Sequence, residues 1–368
     1  MNSRPLAARW RSWLGKGFAL LAAGVLALTC ARWTGDEAHA AGSSFLRTAA
    51  PLQSLEGAVS WIQSPPLTAE ALRGKVVLLD FWTYSCINCL RTLPYVRAWA
   101  DKYRDLGFVV VGVHTPEFGF EHRPANVQRA AAQLGITFPV AVDSSRAIWQ
   151  AYSVRGWPSL LFVDATGKIR GRQVGEGAYE ESERVIQQLL REAGRMNLPQ
   201  DLVAPQGDGT QAAAGPMPAA SPETYVGAAR SQGFRSAQGG LRPGRTHAYL
   251  PAQGLGLNEW TLAGEWKVGE EAAELQRSGG RLAFRFRARD LHLVLGPAME
   301  GRAVKFRVRL DGQPPGTDRG SDVDANGFGT IDGHRLYQLV RQSPPGRERL
   351  FEIEFLDPGA SAYAFTFG

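Results

Sequence analysis

Cys86 and Cys89 stand two residues apart in the run Asp80-Phe81-Trp82-Thr83-Tyr84-Ser85-Cys86-Ile87-Asn88-Cys89. The chemistry open to such a pair is thiol–disulfide exchange, in which a thiolate attacks a disulfide sulfur. Lys75 to Trp82 is a near-continuous apolar run and reads as a strand buried on both faces. From Cys86 to about Asp105, Leu90, Leu93, Val96, Ala100 and Tyr103 recur at helical spacing. Cys86 therefore falls at a helix N-terminus, where unpaired N–H groups and the helix dipole favour a thiolate. That makes Cys86 the expected nucleophile and Cys89, one turn further in, the residue that resolves the mixed disulfide. A purely structural bridge across two residues would close too small a loop to remove much unfolded-chain entropy. C-x-x-C is also half of a metal site, but closed zinc sites need two more ligands and the six His show no complementary pair. No metal or cofactor is expected.

Asp80 lies among Val, Leu and Phe, where a carboxyl is costly without a partner or a task. A buried carboxyl of raised pKa would accept a proton from Cys89 as it attacks. The plainer reading is a strand-end Asp bonded to local backbone.

Around this segment strands and helices alternate. Phe108–Val113, Phe138–Val142 and Leu160–Asp164 read as strands, Ala125–Leu134 and Glu180 to about Arg195 as helices, with Gly135 as a helix stop. The pattern predicts an α/β domain over 41–195 with a largely parallel sheet. Residues 196–223 are rich in Ala, Pro and Gly without apolar periodicity and read as a linker. Beyond it Leu282, Phe284 and Phe286, then Val304, Phe306 and Val308, then Phe351, Ile353 and Phe355 alternate with polar residues. Period-two strands bury one face, so 224–368 is expected to be an all-β antiparallel sandwich. Arg and Glu on the wet faces are placed to pair across strands. Two separate cores would let 41–195 fold alone.

The 368 residues are 44% hydrophobic and 21% charged, a globular composition. The net charge of +6 is half accounted for by residues 1–40, which hold Arg4, Arg9, Arg11, Lys16 and Arg32 against Asp36 and Glu37. The rest lacks the concentrated basic face that nucleic-acid binding needs. In 1–40 the basic residues precede an apolar run, Phe18 to Thr29, and Ala38-His39-Ala40 suits cleavage. This reads as a signal peptide or an uncleaved N-terminal membrane anchor; either exports the protein to the periplasm or cell envelope. Cys30 lies in this segment, and Thr29 before it fits lipidation poorly. Cys86 and Cys89 are then the whole cysteine content of the exported body, which is too few for a disulfide-stapled fold.

The residues carrying this chemistry resemble the thioredoxin superfamily. Asp80-Phe81-Trp82 followed by Cys86-x-x-Cys89 matches its active-site strand and helix. Pro94 falls where that family kinks the helix, and Trp157-Pro158 where it keeps a cis-proline facing the cysteines and the partner chain. Ile87-Asn88 departs from the Gly-Pro of thioredoxin itself, at positions that help set the thiolate pKa. The resemblance implies that Asp80 exchanges a proton with Cys89 and that Trp157 and Pro158 bind substrate. WTYSCINCLRTLPYVRAW, VVGVHTPEF and the tail RLYQLVR…FEIEFLDPGASAYAFTFG narrow it over about residues 52–368. They resemble the exported C-terminal region of DipZ-type thiol:disulfide interchange proteins, a thioredoxin-like domain followed by a carbohydrate-binding-module-like sandwich. That family implies protein disulfide or dithiol substrates, glycan contact by the sandwich, and either a CcdA-like membrane electron donor, here a separate protein, or action without one.

Competing readings rest on single features. A glycan-binding scaffold would use Trp260 and Trp266 for sugar stacking, unless both are core. A peroxiredoxin-like peroxidase would use Thr83, three residues before Cys86, though the Pro-rich loop is missing. His114 and Glu117 fall near the sheet end where open α/β folds bind ligands. Asp322-x-Asp324-x-Asn326-Gly327 resembles the start of a calcium loop but lacks the closing Glu.

Overall fold

A computed structural model describes residues 50–215 and 218–368. The proposed targeting segment, with Cys30, lies outside the described residues. Among the described residues no helix is long and apolar enough to cross a membrane.

The α/β half is built around β3 (Val76–Trp82), whose seven residues are all buried, as its unbroken apolar run requires. It pairs in parallel with β4 (Phe108–His114), which pairs in parallel with β5 (Val140–Val142). On its other side β3 meets β6 (Ser159–Val163) antiparallel, and β6 turns back into β7 (Lys168–Val174). Short strands β1 (Ala50–Pro51) and β2 (Ser60–Ile62) close the edges, giving the order β1-β7-β6-β3-β4-β5-β2. The sheet is therefore mixed, not largely parallel. The cause is local: Asp164 Oδ1 accepts from the N–H of Thr166 and of Lys168, and Gly167 turns at φ +82°. This makes a hairpin of β6 and β7, where a crossover helix would be needed for a parallel pair. Helices α1 (Ile87–Tyr103), α2 (Pro124–Gln133), α3 (Ala147–Ala151) and α4 (Tyr179–Glu192) complete this half.

In the β half every pairing between named strands is antiparallel. Its named strands are β8 (Thr224–Tyr225), β9 (Thr246–Tyr249), β10 (Trp260–Val268), β11 (Ala273–Leu275), β12 (Arg281–Arg287), β13 (Asp290–Pro297), β14 (Val304–Leu310), β15 (Phe328–Ile331), β16 (Arg335–Arg341), β17 (Glu348–Phe355) and β18 (Ala360–Phe367). The path β15-β14-β17-β12 continues through β10 into β11-β18-β13-β16. Trp260–Ala263 pairs with β12 and Trp266–Val268 with β11. Between them Gly264, at φ +98°, approaches Gly280 so closely that a Cβ would lie 3.0 Å from its Cα. The sheet thus curls, and its alternating apolar residues meet inside. Trp260 and Trp266 are fully buried there, which removes them as sugar-stacking surfaces. Arg281, Arg307 and Arg309 stand opposite Glu354 or Glu352 across the ladders. The Asp322–Gly327 segment is a hairpin loop: Asp324 Oδ1 accepts from the N–H of Asn326 and Phe328, and Asp322 pairs with Arg335. Among the described residues no cluster suited to a metal is found.

The halves do not keep separate cores. Val294, Leu336 and Ala364 of the β half join the hydrophobic cluster that contains Cys89, Leu90 and Val96. Arg91 of α1, 3% exposed, pairs at 3.3 Å with the fully buried Asp290 of β13. Burial works against that charge, but hydrogen bonds from Arg341 and Arg289 outweigh it and hold the Asp290 carboxyl below the usual range. Between the halves, residues 196–215 carry only one short turn and are fastened along their length. Arg97 and Lys102 of α1 bind Gln211 and Asp201, while Arg341 and Arg289 bind the carbonyls of Gly209 and Ala213.

Candidate functional site

The loop Thr83-Tyr84-Ser85 leads from β3 to Cys86, which caps α1. Cys86 has extended backbone angles, and its Sγ lies 3.4 Å from the backbone N of Cys89. A helix N-cap side chain normally accepts such a bond through oxygen; here sulfur takes the place. Cys86 is half-buried, Cys89 is 4% exposed, and both are free thiols. Burial, then the hydrogen bond and charge of Cys86, push the Cys89 thiol well above its ordinary pKa. The pair is asymmetric: one reachable sulfur at the helix end, one protonated sulfur behind it. Pro94 lies inside α1.

Asp80 sits in the middle of β3, flanked by Gly112 of β4 and Leu160 of β6. It is 3% exposed, and its Oδ1 has no hydrogen-bond partner among the described residues. Burial alone pushes its pKa up to about 7, and its charge is among the influences that raise Cys89. An acid that close to the second thiol, and titrating near neutrality, has the properties of a proton acceptor.

Trp157-Pro158 is a cis peptide at the start of β6, beside Phe81 through the Phe81–Ser159 register. Trp157 packs on the same cluster as Cys86, with Trp149 4.5 Å away and the Arg146 guanidinium 5.5 Å from its ring. Sequence-predicted residues from three elements thus gather at one end of β3. The open cleft beside Trp157, about 620 Å³, is lined from both halves, by Glu117, Arg146, Trp149 and Trp157 on one side and Tyr225, Arg230 and Glu271 on the other.

His114 does not line this cleft. It is fully buried, edge-on to Trp82 and stacked on Tyr84, and burial pushes its pKa down to about 3. Glu117 does line it, accepting from the Tyr225 hydroxyl (2.7 Å) and Arg230 (3.2 Å). Thr83 is committed elsewhere: its hydroxyl donates to Glu121 at 2.5 Å, which takes away the donor a peroxide-binding role would need. Glu121 was not foreseen from sequence. It is wholly buried, and desolvation pushes its carboxyl up to about 7. What buries it is tertiary packing, which leaves no periodic mark on the segment Pro116–His122.

Residues 63–190 match the Redoxin family, and residues 221–368 match the family described as Thioredoxin like C-terminal domain. Protein DipZ of Mycobacterium tuberculosis (strain CDC 1551 / Oshkosh) is 36% identical over 277 residues, 74% of this chain and 38% of that protein. The chain therefore spans about two fifths of that relative's length. The thiol-disulfide oxidoreductase YkuV of Bacillus subtilis (strain 168) is 30% identical over 142 residues, 39% of this chain and 95% of that protein. A thioredoxin-like protein solved in its oxidized form is 32% identical, with 40% of this chain and 99% of that one covered and a TM-score of 0.37.

Proposed function

The chain belongs to the thioredoxin-like thiol-disulfide oxidoreductases, and from that premise we propose that it is an exported enzyme exchanging disulfides with protein partners in the cell envelope through Cys86 and Cys89. The Cys86 thiolate attacks one sulfur of the partner's disulfide; that S–S bond breaks, and the other partner sulfur leaves as a thiolate and is protonated. Cys89 gives its proton to Asp80 and attacks Cys86 Sγ, releasing the second partner thiol and leaving a Cys86–Cys89 disulfide. Two electrons have passed to the partner, and the reverse sequence oxidises a dithiol. Trp157 lines the cleft whose far wall the β half supplies, and with Pro158, its neighbour in sequence, it forms the edge along which the partner chain lies. The basic and apolar head of the sequence supports export, and a CcdA-like membrane protein is the class of donor that would restore the dithiol.

The observation that carries this reading is the placement of Cys86 Sγ at the helix cap with Cys89 buried one turn behind. Cys89→Ser is expected to accumulate mixed disulfides with partner proteins, seen as bands that reductant dissolves, while Cys86→Ser forms none. Equal trapping by both variants, or by neither, refutes the assignment.

A further inference from the structure

The carboxylate of Glu121 collects more donors than its burial requires. Oε1 accepts from the Thr83 hydroxyl (2.5 Å), the Ser85 hydroxyl (2.7 Å) and the Ser85 backbone N–H (3.3 Å). Oε2 accepts from the backbone N–H groups of Glu117 (2.7 Å) and Phe118 (3.0 Å). A carboxylate offers about four lone-pair sites, so five donors saturate it. Three of the five come from the loop that ends at Cys86, and the Cys86 N–H in turn donates to the Thr83 carbonyl. The other two come from the turn that the β half grips. Glu117 holds Tyr225 and Arg230, the Gly119 N–H donates to Glu271 (2.8 Å), and Phe118 and Phe120 pack on Tyr363.

We propose that Glu121 is a positioning residue for the nucleophile, locking the Thr83–Ser85 loop to the 117–118 turn so that the β half fixes where Cys86 Sγ stands. The inference rests on the function proposed above. Disulfide exchange is an in-line displacement along the S–S axis, so a nucleophile displaced by an ångström or less loses rate although its thiolate is fully formed. A small alkylating agent can approach from any open direction and lacks that sensitivity.

This difference supplies the test. In Glu121→Gln the amide oxygen can still serve the Glu117 and Phe118 N–H groups. The NH₂ group can donate to the two hydroxyls, but the Ser85 N–H loses its acceptor. The full chain is compared with its variant at about pH 9, where a thiol of ordinary pKa about 8.5 is mostly ionised, in stopped-flow reduction of a protein disulfide and in alkylation of Cys86 by iodoacetamide. Exchange is expected to fall about tenfold and alkylation to stay within about twofold. Unchanged exchange, or exchange and alkylation falling together, overturns the proposal. Should the Gln variant not fold, Thr83→Val with Ser85→Ala removes two donors from the other side and must show the same split. A wild-type chain that reduces no disulfide refutes the parent reading instead.

Discussion

Two buried acids flank the active-site helix, and both are pushed to about 7 by desolvation, yet their surroundings are opposite. Asp80, behind Cys89, sits in a strand between two strands of the α/β sheet and leaves Oδ1 unpaired among the described residues. Glu121, ahead of Cys86, has five donors, and the turn that carries it is gripped by the β half. A carboxyl without partners can gain or lose a proton with little local rearrangement, which suits a proton carrier. One with five donors would disturb every one of them, which suits a clamp. The pKa value alone does not distinguish the two roles; the partner list does. The rear of the site is thus a product of the α/β half, and the front is shared.

The largest test of that division is to remove the β half. A chain of residues 41–195 keeps every strand around Asp80 but strips Tyr225, Arg230 and Glu271 from the front turn. It also exposes the apolar surface that Val294, Leu336 and Ala364 cover, and leaves Arg91 without Asp290. Arg91 then meets water and keeps Glu176 at 3.6 Å, so the cost comes from the uncovered apolar surface, about 25 cal/mol per Å², in a domain with little stability to spare. The truncated chain is expected to lose its cooperative thermal transition by circular dichroism, and its insulin-reductase activity with it. A 41–195 chain that melts cooperatively and keeps full activity would show that the front grip is dispensable.

The fastening of residues 196–215 could not be read from composition. Residues 196–223 have a linker's content, and nothing in an Ala/Pro/Gly stretch reveals that arginines elsewhere will hold its carbonyls. One signal was present: Leu291–Leu295 and Leu336–Val340 lack the alternation of β12, β14 and β17, and the structure buries them on both faces. Continuous burial in an antiparallel sheet means that something covers the second face, and here it is the active-site half. The legible parts were those with local cause. The cysteine spacing, the strand that feeds it, the helix that begins at Cys86 and the period-two strands all follow from neighbouring residues. Glu121 and the antiparallel β6–β7 arm depend on contacts or turns that periodicity does not record.

The rear acid is tested by kinetics. Asp80→Asn keeps the shape of the side chain but takes no proton, so Cys89 must give its proton to solvent across an apolar barrier. Resolution of the mixed disulfide is expected to slow by about 10- to 100-fold near pH 7, and the deficit should shrink towards about pH 9, where hydroxide takes the proton directly. Initial attack by Cys86 should change far less. Single-turnover reduction with rapid acid quenching separates the two steps. Rates matching wild type from about pH 6 to 9 would remove Asp80 from proton transfer.

The smallest effect concerns stability. In the folded chain Asp80 holds its proton up to about 7, whereas the unfolded group releases it from 3.8 upward. Between those values the folded state binds more protons than the unfolded one, so stability falls as pH rises. The stability contributed is complete below about pH 4 and gone above about pH 7, a loss on the order of 4 kcal/mol. Asn has no proton to lose, so Asp80→Asn should melt close to wild type at about pH 4 and higher by roughly 5 °C at about pH 8. Glu121, pushed up to about 7, and His114, held at about 3, titrate in both proteins and cancel in the difference. Thermal melts of the two chains across this range read the gap directly. A gap that stays constant would mean that Asp80 ionises as an ordinary carboxyl, and the contrast with Glu121 would then rest on hydrogen bonds alone.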